Sequence, residues 1–175
     1  FSKLDRLDMK NKLTLSKQCA MRQHKGQYRK NNKTPYWHHL RDVVNNLEMM
    51  GIKDESILCA GWLHDSIEDT SFDYDDVSKF FGKKVAQIVS DLTKETRLPK
   101  NQQEQNYLKQ LSKSSWQSKV VKFADILANV SDLKNSELNQ KQKIIQVKYK
   151  IKYLGVIKSG IVENKNKIPN LFEAQ

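Results

Sequence analysis

Apolar residues recur along this chain at steps of three and four, a spacing that predicts helix after helix. A charged opening stretch carries Leu4, Leu7, Leu13 and Leu15 at near-helical spacing and ends around His24 to Gly26. Residues 26 to 34 are polar and basic, a loop by composition. Pro35 can open a helix in which His39, Val43, Val44, Leu47 and Met50 share one face, and Gly51 stops it. Asp54 is placed to cap a helix over residues 57 to 67, which is apolar on nearly every side through Leu58, Ala60, Trp62 and Leu63. A helix of that kind belongs at the centre of a domain. Residues 71 to 73 read as a helix start, Phe80 to Gly82 as its stop, and residues 85 to 92 as another short helix. The polar stretch 94 to 105, with Pro99 inside it, reads as a long mobile loop. Two helices follow, over 115 to 133 and 139 to 162. The second carries Ile144, Val147, Ile151, Leu154, Ile157 and Ile161 as its apolar stripe, and Pro169 closes the pattern. No repeat, low-complexity linker or second apolar core interrupts it, so the expectation is a single all-α domain over residues 1 to 175, a helical bundle.

At 175 residues the chain is long enough for one domain with a substantial core. Its two cysteines, Cys19 and Cys59, cannot build a disulfide framework or a four-sulfur zinc site; they read as small buried residues of a reducing compartment, which points to the cytoplasm. No apolar run approaches the ~18 residues of a membrane span, so no membrane partner is expected. The 31 Lys+Arg against 20 Asp+Glu leave a formal charge of +11, which by itself suggests nucleic-acid binding. The distribution narrows that suggestion. Residues 1 to 35 hold ten basic and two acidic residues, residues 36 to 100 eight and twelve, and residues 101 to 175 thirteen and six. An acidic middle between basic flanks suits a cation site that receives a polyanion.

The central helix runs into Leu63-His64-Asp65-Ser66-Ile67-Glu68-Asp69-Thr70, which gathers four ionisable groups beside the most apolar segment. Burying them without partners would cost several kcal/mol, and a divalent cation is the simplest partner. His64 and Asp65 can both ligate one ion if the helix bends there. Two more donors are available in His39, on the preceding apolar face, and Asp125, a lone aspartate inside an otherwise apolar helix. Asp125 could instead cap or pair locally. His38 and His39 point about 100° apart on a helix, so only one can face the ion, and His39 is the one on the apolar face. His24 reads as an exposed loop residue, and Tyr36, Trp62 and Trp116 as core.

The ordered set His39, His64-Asp65 and Asp125 matches the H…HD…D signature of HD-superfamily metal-dependent phosphohydrolases. The words around it are more specific: Gly26-Gln27-Tyr28-Arg29-Lys30, Thr34-Pro35-Tyr36, Leu63 to Thr70, Phe81-Gly82, Leu92-Thr93-Lys94 and Val121-Lys122-Phe123-Ala124-Asp125 closely resemble the hydrolase domain of RelA/SpoT proteins, over about residues 24 to 133. The length leaves no room for that family's synthetase and regulatory domains, so the chain looks like a stand-alone alarmone hydrolase, similar to the metazoan SpoT homologues. The resemblance implies a manganese-dependent enzyme that removes the 3′-pyrophosphate from ppGpp and pppGpp. It implies that His39, His64, Asp65 and Asp125 hold one Mn²⁺, that Glu68 and Asp69 are the catalytic acidic pair, that Arg29 and Lys30 bind substrate, and that Asn129 contacts the nucleotide. Two His and two Asp alone leave Mn²⁺, Fe²⁺ and Zn²⁺ open.

The chemistry agrees with those roles. A divalent cation acidifies a water it binds, a neighbouring carboxylate can take the proton, and basic side chains can meet the phosphate oxygens as charge develops on them. The sequence departs from the family at Ile126, where a basic residue is usual, and at Asp132, where a small hydroxyl residue is usual; both remove positive or neutral character expected near the substrate. One alternative is therefore the same chemistry on another phosphorylated nucleotide, such as the 2′-phosphate of NADPH. Another is a nucleic-acid-binding module with a vestigial metal site, favoured by charge and opposed by the retained donors and the Glu-Asp pair. No feature of the sequence sets an oligomeric state.

Overall fold

The computed structural model describes residues 11–171, and among them nine α-helices and two short 3-10 turns follow one another without a β-strand. Leu4 and Leu7 lie outside the described residues. Leu13 and Leu15 fall in α1, Lys12–Gln23, where the Asn11 side chain caps the helix by accepting from the Thr14 N–H at 3.1 Å. A loop pinned by the antiparallel bridge between Tyr28 and Pro35 leads into α2, Trp37–Met49. Gly51 ends α2 with a φ of +82°, a conformation open to glycine, and the Pro169 ring lies 3.1 Å from where a Cβ would stand, so the end of the described chain closes on this corner.

Helix α3, Glu55–Leu63, has the expected cap: the Asp54 side chain accepts from the Ser56 N–H at 2.8 Å. The predicted helix over 57 to 67 is not continuous. It stops at Leu63, His64 and Asp65 interrupt it, and a single turn, α4, Ser66–Asp69, resumes beyond. Hydroxyls mark the break, because Ser66 donates to the Leu63 carbonyl and Thr70 to the Ser66 carbonyl at 2.6 Å, side-chain bonds that compete with the helical ladder. Helix α5, Tyr74–Phe81, starts in a capping box between Asp73 and Asp76 and is separated by Gly82 from α6, Lys83–Leu92.

The long loop expected over 94 to 105 is corrected. Residues 93–99 lie outside the helices, and α7, Lys100–Lys113, begins directly after Pro99, which suits the first positions of a helix. Only Tyr107 and Leu111 of α7 are buried, too few to make a periodic signal. Polar contacts hold it instead: the Gln110 side-chain amide donates to the carbonyls of Ser90, Asp91 and Thr93 at 3.2, 2.9 and 2.8 Å. Helix α8, Trp116–Asp132, and helix α9, Gln140–Glu163, then fall where the pattern places them.

The stripe expected on α9 holds only at its C-terminal end. Tyr153, Ile157 and Ile161 are buried, whereas Ile144 is 46% and Ile151 61% exposed. The physical reason is that the N-terminal half of α9 faces a cavity rather than the apolar core, and its inward positions are Gln146, Lys150 and Tyr149. Helix α3 sits at the centre, packed by α1, α2, α6 and α8, so every residue from Ile57 to Leu63 is buried. Cys19 and Cys59 are buried free thiols, and no described helix is long and apolar enough to cross a membrane.

Gly61 lets α2 come close to α3: an added Cβ would stand 2.8 Å from Leu47 Cδ1 and 3.0 Å from Val44 Cγ2. Gly61→Ala should therefore push α2 away from α3 and cost about 1–3 kcal/mol, read as a lowered urea midpoint.

Candidate metal centre and substrate cavity

The interruption after α3 brings three elements to one point. Helix α2 contributes His39, the α3–α4 junction His64 and Asp65, and α8 Asp125. His39, His64 and Asp125 are buried and offer donor atoms that all lie within 4.8 Å of one another. His39 Nε2 is 3.2 Å from Asp125 Oδ1 and 3.8 Å from Asp65 Oδ2, and His64 Nε2 is 2.9 Å from Asp65 Oδ2 and 3.8 Å from Asp125 Oδ1. His38 turns aside and packs tilted against Trp37 with ring centroids 3.9 Å apart.

Neighbouring groups fix how these donors point. The His64 Nδ1 proton goes to the Gly61 carbonyl at 2.9 Å, which leaves Nε2 as a buried lone pair without a hydrogen-bond partner, facing two carboxylates. That arrangement is repulsive unless a positive charge stands between them. Without a metal the ring itself takes up a proton: burial opposes this, but Asp65 and Asp125 override it and raise the His64 pKa to about 9. Burial likewise opposes ionisation of Asp125, yet Lys122 and the two histidines hold its carboxyl well below the usual range. Two imidazoles and two carboxylates with an orphaned nitrogen among them fit a divalent cation.

Two residues of this centre escaped the sequence reading. Lys122 Nζ donates to Asp125 Oδ2 at 2.9 Å, which leaves Oδ1 turned toward the histidines. Its position three residues before Asp125 on an apolar helix was the available signal. Tyr36, read as core, instead lines the cavity and donates its hydroxyl to Asp65 Oδ2 at 2.6 Å. His24, read as exposed, is buried: its ring stacks on Tyr36 with centroids 5.0 Å apart, and its Nδ1 is 2.7 Å from Gln27 Oε1.

The centre opens into a cavity of about 470 Å³ whose walls include Glu68, Asp69, Lys94, Lys100, Lys122 and Lys150. Glu68 accepts from the Lys94 N–H at 2.9 Å, and burial, aided by Asp65, raises its pKa. Burial, Asp65 and Glu68 together push Asp69 up to about 6. A second cavity of about 120 Å³ holds Arg29 and Lys30 and shares Asn129, Gln146 and Lys150 with the first. Arg29 is already engaged there: Nε and Nη2 donate to Asp132 Oδ2 at 2.9 and 2.7 Å, and Nη2 to Asn129 Oδ1 at 3.1 Å. The departure at Asp132 therefore offsets a charge facing the cavity. The departure at Ile126 does not bear on the substrate as expected, because Ile126 is buried in the core and lines neither cavity.

The family comparison agrees with an all-α bundle that carries a His/Asp cluster: the model of the HD domain matches residues 17–151. The chain belongs to the HD domain family. The guanosine-3′,5′-bis(diphosphate) 3′-pyrophosphohydrolase MESH1 of Drosophila melanogaster is 37% identical to this HD domain over 118 residues, 66% of each chain. The human protein of the same name is 39% identical over 116 residues, 65% of each chain. The aligned region thus spans just under two thirds of these relatives' length. A solved structure, described as a metazoan ortholog of SpoT that hydrolyzes ppGpp and plays a role in starvation responses, superposes with a TM-score of 0.80 at 29% identity, covering 93% of this chain and 94% of that one.

The raised Asp69 makes a prediction for stability. A carboxyl whose folded pKa is about 6, above its ordinary 3.8, favours the fold fully only below about pH 4 and loses that contribution as pH rises through 6. Asp69→Asn removes the penalty. With solvent screening on its open side, the metal-free variant should gain about 1 kcal/mol at pH 7 and nothing at pH 4, read from thermal unfolding at the two pH values.

Proposed function

We propose that this HD domain is a metal-dependent phosphohydrolase that removes the 3′-pyrophosphate from guanosine 3′,5′-bis(diphosphate) and its 5′-triphosphate counterpart, with manganese as its ion. One observation carries the reading: a single cavity joins the His39, His64, Asp65 and Asp125 donors to the Glu68–Asp69 pair and to four lysines. The names of the relatives supply the choice of substrate, and the preference for manganese rests on the likeness to the RelA/SpoT hydrolases.

In this reading His39, His64, Asp65 and Asp125 hold the ion, with Lys122 and Tyr36 orienting the two carboxylates by their hydrogen bonds. When bound, the ion acidifies water and draws charge from the phosphoryl oxygens. Glu68 and Asp69 orient the attacking water and take its proton, a task suited to carboxyls raised toward neutral pH. Asn129 joins the two halves of the site, since it accepts from Arg29 and donates to the Asp125 carbonyl at 3.0 Å. Arg29 and Lys30 receive the nucleotide in the smaller cavity. Cavities of this size suit a short polyanion rather than a nucleic-acid strand.

Incubation of the manganese-loaded protein with ppGpp, pppGpp, NADPH and ordinary nucleotides tests the reading. Release of pyrophosphate from the first two is expected; turnover of NADPH with ppGpp left intact would replace the substrate. Asp125→Ala should abolish metal binding and turnover together, measured by metal content after desalting and by product release. Glu68→Gln should keep the metal and slow turnover by roughly 10² to 10⁴.

A further inference from the structure

Two lysines of the larger cavity, Lys94 and Lys122, are packed against aromatic side chains. Lys94 Nζ lies 5.0 Å from the Tyr107 ring centroid and 5.4 Å from that of Tyr153, and Lys122 Nζ lies 5.2 and 4.9 Å from the same two rings. The rings meet edge to face at 5.5 Å, and Tyr107 is fixed by donating its hydroxyl to the Leu92 carbonyl at 3.0 Å. Two ammonium groups are thus gathered on one pair of tyrosines, with Lys94 Nζ donating to the Tyr153 hydroxyl at 3.0 Å and that hydroxyl donating to Glu104 Oε2 at 3.1 Å. Their acidic neighbours are Glu104, 3.8 Å from Lys94 Nζ, and Asp125, the candidate metal ligand. With Asp65 and Asp125 committed to a cation, Glu68, Asp69 and Glu104 remain in the cavity against Lys94, Lys100, Lys122 and Lys150. The wall is short of negative charge.

We propose that Lys94 and Lys122, seated on Tyr107 and Tyr153, form the subsite for the pyrophosphoryl group, in the part of the cavity that Arg29 does not line. The inference rests on the pyrophosphohydrolase reading and gives the substrate a direction: nucleoside 5′-phosphates toward Arg29 and Asn129, 3′-pyrophosphate toward Lys94. The water oxygen bonds to the phosphorus carried by the ribose 3′-oxygen, the bond from that phosphorus to the 3′-oxygen breaks, and the proton taken from water by the acidic pair passes to the 3′-oxygen. The products are the nucleoside 5′-phosphate with a free 3′-hydroxyl and pyrophosphate, whose charge stays with the two lysines. Lys94 has a second connection to this step. Its backbone N–H holds Glu68, so the segment that presents the ammonium group also places the carboxylate. Substitution of the Lys94 side chain leaves that N–H in place.

Calorimetric titration of inorganic pyrophosphate, and separately of GDP, into the manganese-loaded protein without excess metal tests the subsite. Lys94→Met should weaken pyrophosphate binding about tenfold and leave GDP binding unchanged, as expected for loss of one charge-assisted contact. Lys94→Arg should restore most of the affinity, and Lys113→Met, on the exposed side of α7, should change neither ligand. Equal pyrophosphate affinity in wild type and Lys94→Met, or an equal loss for GDP, overturns the proposal. A protein that binds pyrophosphate through Lys94 yet leaves ppGpp intact keeps the subsite and loses the proposed substrate. One that hydrolyses ppGpp with a pyrophosphate affinity indifferent to Lys94 does the reverse.

Discussion

A lone pair held against two carboxylates, out of reach of water, is the constraint on which the structure turns. His64 Nε2 has no hydrogen-bond partner because Nδ1 is committed to the Gly61 carbonyl, and what it faces is Asp65 and Asp125. Only positive charge at that point makes the arrangement tenable, a proton in the free protein and, in the proposed function, a divalent cation. The fold supplies the geometry by stopping its most apolar helix one residue before His64 and locking the neighbouring helices against it. The same glycine that lets α2 approach α3 also provides the carbonyl that fixes the His64 tautomer.

Charge around that point is layered. Next to the donors stand groups that orient them, Lys122 on Asp125 and Tyr36 on Asp65. Beyond these, Glu68 and Asp69 are kept partly desolvated and close to further negative charge, which costs stability and raises the pKa of both, that of Asp69 to about 6. The outer walls are lysines from α7, α9 and the segment before α7. The surplus of +11 therefore has a local meaning, because part of it faces an acidic centre across a cavity sized for a small ligand.

Much of this was legible in the chain itself. Helices α2, α3, α5, α6, α8 and α9 follow from three- and four-residue spacing and from their caps, and Asp54 caps α3 as its position indicates. His39, His64, Asp65 and Asp125 could be named as a set because a carboxylate or imidazole on an apolar helix face calls for a partner. Elements whose partners are polar were misread. Helix α7 is held by Gln110 on three carbonyls, and the first half of α9 turns Gln146 and Lys150 inward toward the cavity while Ile144 and Ile151 point out. His24 and Tyr36 were misplaced for a related reason: a ring stacked under a loop leaves no periodic trace.

The sequence by itself determined where most helices form and stop, α7 and the break after Leu63 excepted, since caps, glycines and apolar spacing act between residues a turn apart. It also determined the donor types at the centre, because two imidazoles and two carboxylates beside apolar segments have few other stable uses. Tertiary structure decided what each donor touches. That Lys122 takes one oxygen of Asp125, that Tyr36 reaches Asp65 across the loop, and that Asp132 occupies Arg29 are outcomes of helix packing between residues far apart in the chain. Electrostatic partnership depends on distances of a few ångströms, and those distances are fixed only when the helices pack.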